Sequence, residues 1–105
     1  MLQIDVEPAG GERQTTVVRC AGEIDVATCA SLIDTFDSLM PDADTTVRVD
    51  LREVTFIDST GIGCLLHAAL QARAAGTPFE VVPGETTSRF IASSGLGTQL
   101  PLVPA

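Results

Sequence analysis

Aromatic side chains are scarce in this chain: it has no Trp, no Tyr and only four Phe. A core must therefore come from Val, Ile, Leu and Ala. Hydrophobic residues make up 45% of 105 positions, enough for one compact domain spanning residues 1–105. Basic residues are also few. Six Lys and Arg stand against fourteen Asp and Glu, for a formal net charge of -8. That balance argues against binding a phosphate backbone, which needs clustered Lys and Arg, and against an anionic membrane surface. No direct nucleic-acid or membrane contact is expected. Acidity suits a basic patch on a protein partner, and equally plain solubility.

Long apolar runs are missing too. No stretch approaches the roughly 20 residues needed to cross a bilayer. The opening Met1-Leu2-Gln3-Ile4-Asp5 has no basic stretch ahead of an apolar one, so no signal peptide is expected and the expected compartment is cytoplasmic. The cysteines are three, Cys20, Cys29 and Cys64, and none forms a CxxC pair. Neither a zinc site nor a redox motif is supported, no cofactor or metal is expected, and the thiols read as buried and free.

What is present alternates between two periods. Residues 2–7 form a short mixed segment closed by the turn Pro8-Ala9-Gly10-Gly11. Thr15–Ala21 is β-branched and reads as a strand that Gly22 breaks. Asp25 can cap a helix whose apolar positions Ala27, Ala30, Ile33, Phe36 and Met40 recur at three- and four-residue steps, ended by Pro41. Val47, Val49 and Leu51 alternate with polar residues as a strand does, and Val54–Ile57 is a short apolar run. Beyond Asp58-Ser59-Thr60-Gly61, Ile62, Leu65, Leu66, Ala69 and Arg73 mark one side of a helix that stops at Gly76. Pro78–Pro83 is a further strand. Thr86 or Thr87 could cap a third helix to about residue 93, and 100–103 is a last strand or a docked tail. The order β-β-α-β-α-β-α implies an α/β domain with a partly parallel sheet and right-handed crossovers.

Asp58-Ser59-Thr60-Gly61-Ile62-Gly63 sits where strand gives way to helix, at unpaired backbone N–H groups and the positive end of a helix dipole. Known site chemistries fail here. A phosphate loop would need Lys after its second Gly. A dinucleotide loop would need Gly at Leu66, and a hydrolase elbow would need Gly at Ile57. The single histidine, His67, lies eight residues past Ser59, about 12 Å along a helix, beyond reach of the serine proton. Two readings remain on spacing alone: an ordinary capping and turn sequence, or a serine that receives a group from another protein.

Gly22-Glu23-Ile24-Asp25, Val49-Asp50-Leu51, and Val54-Thr55-Phe56-Ile57 running into Asp58-Ser59-Thr60-Gly61-Ile62-Gly63 resemble the bacterial anti-sigma factor antagonists of the STAS superfamily. Pro83 and Ser93-Ser94-Gly95-Leu96 extend the resemblance over nearly the whole chain. It implies a single STAS-like domain, a mixed four- to five-stranded sheet with helices packed mainly on one face, and no enzyme activity. It also implies that Ser59 is the phosphoacceptor and Thr60 a possible minor one. The partners implied are an anti-sigma factor that is also a serine kinase, released from its sigma factor by the unphosphorylated antagonist, and a serine phosphatase. Asp25, Asp58, Thr60, Gly61, Gly63 and His67 are the expected partner-binding residues, with Ser59, Gly63, His67 and Leu70 along one stripe of the helix. Two alternatives share the fold: a non-switching STAS module of a stress or sensory complex, and a domain binding a small ligand or nucleotide at the glycine turn.

Overall fold

A computed structural model describes residues 1–9, 14–40, 44–95 and 97–104. Four strands, β1 (Leu2–Ala9), β2 (Thr15–Ile24), β3 (Thr46–Ile57) and β4 (Phe79–Pro83), form one sheet in the order β1-β2-β3-β4. β1 runs antiparallel to β2, while β2, β3 and β4 are parallel. The helices α1 (Cys29–Leu39), α2 (Ser59–Ala75) and α3 (Glu85–Ser94) follow β2, β3 and β4 in turn. This is the expected α/β architecture with a mixed sheet.

One sheet face supplies Val18, Cys20, Val47, Val49, Leu51 and Val81 to a core closed by Leu32 and Phe36 of α1, Ile62 and Leu65 of α2, and Ile91 of α3. Phe36 meets Phe79 edge to face at 5.6 Å, one of few aromatic contacts so Phe-poor a chain can make. The opposite face is polar: Arg19, Arg48, Asp50, Arg52 and Glu80 point there, because successive side chains of a strand alternate in direction.

Several boundaries differ from the sequence expectation. The turn expected at residues 8–11 begins later, since Pro8 and Ala9 pair with Thr16 and Thr15; Gly10 and Gly11 lie outside the described residues. Gly22 does not end β2. It continues the strand at φ +110°, and a Cβ there would fall 2.2 Å from the Met1 carbonyl oxygen. The segments 46–51 and 54–57 are one strand. Two register shifts against β2 place extra β3 residues near Leu51–Arg52 and at Thr55, so the core-facing set steps Val47, Val49, Leu51, Val54, Ile57. A bulge breaks the two-residue period without breaking the strand.

Asp25 does not cap α1 directly. The helix starts at Cys29 with Thr28 before it, and its buried positions are Leu32 and Phe36, with Met40 just beyond; Ala30 is exposed. Arg73 is likewise exposed rather than part of the buried side of α2. The cap of α3 is Gly84, not Thr86 or Thr87; the Thr87 hydroxyl sits at the third helical position and accepts from the Gly84 N–H at 2.8 Å. Residues 101–103 make a single parallel bridge from Leu102 to Val81 rather than a fifth strand.

Candidate functional site

β2 and β3 end in register, Ile24 opposite Ile57, so Asp25 and Asp58 leave the carboxyl end of the sheet on neighbouring parallel strands. Each carboxylate then turns back onto its own backbone. Asp25 Oδ1 accepts from the N–H groups of Ala27 at 3.0 Å and Thr28 at 3.2 Å, forming a turn ahead of α1. The Thr28 hydroxyl closes that turn by donating to the Glu23 carbonyl at 2.9 Å. Asp58, in extended backbone conformation, is the N-cap of α2, and its Oδ1 accepts from Gly61 N–H at 3.0 Å. The Asp58 carboxylate therefore organises the turn that presents Ser59, and that bond occupies one of its oxygens.

Ser59 is the first residue of α2, exposed, and its hydroxyl has no hydrogen-bond partner among the described residues. Thr60 is exposed beside it. Gly61 departs from expectation as a contact residue because it is buried. A Cβ at Gly61 would lie 2.6 Å from the Ile24 carbonyl oxygen and 2.8 Å from Ile57 Cγ1. Its glycine character lets α2 sit close over the ends of β2 and β3; it offers a partner no surface. Gly63 is the opposite case, exposed, with nothing within 4 Å of an added Cβ. Ser59, Gly63, His67 and Leu70 are all exposed along α2, Leu70 at 62%. A shallow groove of about 390 Å³ lined by Leu66, Leu70, Arg73 and Gln99 continues this stripe.

Two apolar residues at this end were missed by sequence reasoning. Val26, in the loop after Asp25, is 76% exposed, and Phe56, one residue before the end of β3, is 46% exposed. The Val26 signal was available, an apolar side chain in an Asp-initiated turn. The exposure of Phe56 follows from the bulge at Thr55, which no local pattern reveals.

Segments 23–28 and 56–67 together carry Glu23, Asp25 and Asp58 and no Lys or Arg; the Met1 ammonium pairs with Glu23 at 2.7 Å, and the end keeps a net excess of acid. The single histidine, His67, lies two helical turns from Ser59, out of reach of its hydroxyl. Among the described residues no group of three His, Cys, Asp or Glu side chains could hold a metal ion. No helix among them is long and apolar enough to cross a membrane. Chemically the site is an exposed hydroxyl at a helix N-terminus, flanked by structured carboxylates and two exposed apolar side chains.

The family model described as "Mlab, STAS domain" matches residues 9–104. Among solved structures, an anti-sigma factor antagonist from Mycobacterium paratuberculosis is similar at TM-score 0.75 and 30% identity, over 98% of this chain and 87% of that one. The unphosphorylated form of the anti-sigma factor antagonist SpoIIAA is similar at TM-score 0.70 and 23% identity, over 96% and 88%. The phosphorylated form of the Bacillus cell fate determinant SpoIIAA is similar at TM-score 0.67 and 21% identity, over 96% and 91%. At these identities the two SpoIIAA structures bear on the fold alone. No curated protein sequence matches the chain.

Proposed function

Because the chain belongs to the STAS domain family, we propose that it is an anti-sigma factor antagonist whose contact face is switched by phosphorylation of Ser59. The observation that carries this reading is the exposed, unbonded Ser59 hydroxyl on the first turn of α2, held there by the Asp58 cap. With the single histidine two helical turns away, the chemistry on Ser59 is done by another protein, an anti-sigma factor that is also a serine kinase, and reversed by a serine phosphatase.

The unphosphorylated face docks through the Asp25 turn, Asp58, Thr60, Gly63 and His67, with Val26 and Phe56 supplying apolar contact. Binding withdraws the anti-sigma factor from its sigma factor. Phosphorylation adds about -1.5 to -2 charges at pH 7 to an end that already carries Glu23, Asp25 and Asp58. A docked partner would then have to desolvate a dianion among carboxylates, so the complex dissociates. The free N–H groups of the first turn of α2 and its dipole hold the phosphate, so the fold survives the modification. Thr60 is a minor second acceptor.

The test is intact-mass spectrometry after incubation with ATP and candidate anti-sigma kinases, alongside Ser59→Ala. The expected result is a single added phosphate on the wild type and none on the variant. Ser59→Asp should weaken binding to the same kinase by tenfold or more, roughly 1.4 kcal/mol. A second reading draws on the matching family model, whose description names Mlab rather than an antagonist. In it the same face binds constitutively within a larger complex. Tight binding indifferent to Ser59→Asp, with no phosphate taken up, would select that reading.

A further inference from the structure

The three cysteines are scattered in sequence, yet Cys29 and Cys64 come together where α1 packs on the start of α2. Cys29 opens α1 and Cys64 lies in the second turn of α2, where the two helices pack together. The Cys64 Sγ is 3.8 Å from the Cys29 carbonyl oxygen, to which its S–H points. The Cys29 Sγ in turn directs its S–H to the Thr60 carbonyl at 3.6 Å, one residue from Ser59. These two weak bonds use one side chain from each helix and interlock α1 with the start of α2. Cys29 is partly buried and Cys64 is buried. Burial first, and then the neighbouring Cys29 thiol, raise the Cys64 thiol far above its usual range. Cys20 is fully buried in β2, where burial pushes it up to about 12.

We propose that Cys29 and Cys64 are a peroxide-responsive pair that closes into a disulfide joining α1 to α2 beneath the Ser59 turn. The placement divides the labour. Cys29 is the more accessible of the two sulfurs, and Cys64, which burial holds protonated, resolves it slowly at neutral pH and faster as pH rises. The Cys29 sulfur attacks one oxygen of hydrogen peroxide and the O–O bond breaks. Hydroxide leaves and takes up the thiol proton as water, and Cys29 becomes a sulfenic acid. The Cys64 sulfur then attacks the Cys29 sulfur. The S–S bond forms, the S–O bond breaks, and the Cys64 proton leaves with the hydroxyl as a second water. Two thiols lose two electrons and one peroxide gains them. Closure must bring the two sulfurs to about 2.05 Å, starting from a Cys64 Sγ that already lies 3.8 Å from the Cys29 carbonyl oxygen.

Closing the bridge removes the Cys29 S–H donor from the Thr60 carbonyl and ties positions 35 residues apart. The bridge would therefore raise thermal stability and stiffen the turn that carries Ser59. It stands on the packing of α1 against α2 and does not depend on Ser59 being modified.

The experiment treats the full chain with hydrogen peroxide and measures intact mass without reductant, followed by alkylation of the remaining thiols. The expected result is a loss of about 2 Da, one alkylated thiol instead of three, and reversal by dithiothreitol. Cleavage at glutamate separates Cys20 from Cys29 at Glu23, so the cross-linked peptides identify the partners directly. Cys20→Ser should keep the 2 Da loss, while Cys29→Ser should abolish it. Oxidised wild type should melt roughly 5–15 °C above the reduced form. Addition of about 16 or 32 Da to Cys29 with no cross-link, or a cross-link that maps to Cys20, would overturn the assignment. Because Cys64→Ala alters the core, the wild-type peptide map decides if that variant does not fold.

Discussion

At the scale of single residues, two glycines two positions apart in α2 do opposite things. Both looked alike in sequence, as small residues keeping a surface low. Gly61 is where the helix backbone crosses the ends of β2 and β3, with the Ile24 carbonyl 2.6 Å from where a Cβ would stand. The neighbour there is backbone, which cannot rotate aside. Gly61→Ala should therefore destabilise the fold by about 1–3 kcal/mol, the usual cost of overpacking. Gly63 has open space around it and sits inside a helix, so Gly63→Ala should stabilise by roughly 0.5–1 kcal/mol through reduced chain entropy. Urea unfolding of the two variants should move the midpoint in opposite directions. Equal shifts would mean that α2 does not pack on the sheet ends as described.

At the scale of elements, the sheet's polar face is held by a ladder of opposite charges across three strands. Glu7 of β1 binds Arg19 of β2, Arg19 reaches Asp50 of β3 at 3.5 Å, and Arg52 binds Asp50 through two nitrogens, the shorter contact 2.8 Å. Asp50 is nearly buried, yet its carboxyl is held below the usual carboxylate range, foremost by the hydrogen bond from the Arg52 side chain. A depressed carboxyl stabilises the fold above the unfolded-state value of about 3.9, and that contribution is lost as pH falls through the folded-state value. Asp50→Asn should thus lower the melting temperature at pH 7. The gap to wild type should stay level down to about pH 5 and close below about pH 4. A gap as large at pH 2.5 as at pH 7 would show that packing, not charge, makes Asp50 matter.

At the scale of the whole molecule, a net charge of -8 is confined within 33 × 27 × 23 Å. The screening length is about 30 Å at 0.01 M salt and about 8 Å at physiological strength. At low salt every carboxylate feels every other, so the folded chain repels itself. Raising NaCl from 10 to 150 mM should therefore raise the melting temperature. A fall would mean that the arginine pairs on the polar sheet face outweigh the general repulsion. The same excess of acid gives the Ser59 end its character, since a phosphate arriving there adds to a field already negative.

The sequence by itself determined the order of elements, because hydrophobic period and punctuation are local: alternation through 47–51, a 3.6-residue period after Asp58, and stops at Gly76 and Gly95. It also marked the Asp-Ser-Thr-Gly junction, which a strand-to-helix change and a capping aspartate make legible without any contact map. The continuity of β3 belonged to the tertiary structure, because a bulge disrupts the local period while pairing with β2 keeps the strand whole. So did the start of α1 at Cys29, four residues past the aspartate that shapes its turn. Only packing could separate buried Gly61 from open Gly63, expose Phe56, and bring Cys29 and Cys64 together. Each of those outcomes depends on which backbone lies opposite a residue, and a one-dimensional pattern does not contain that.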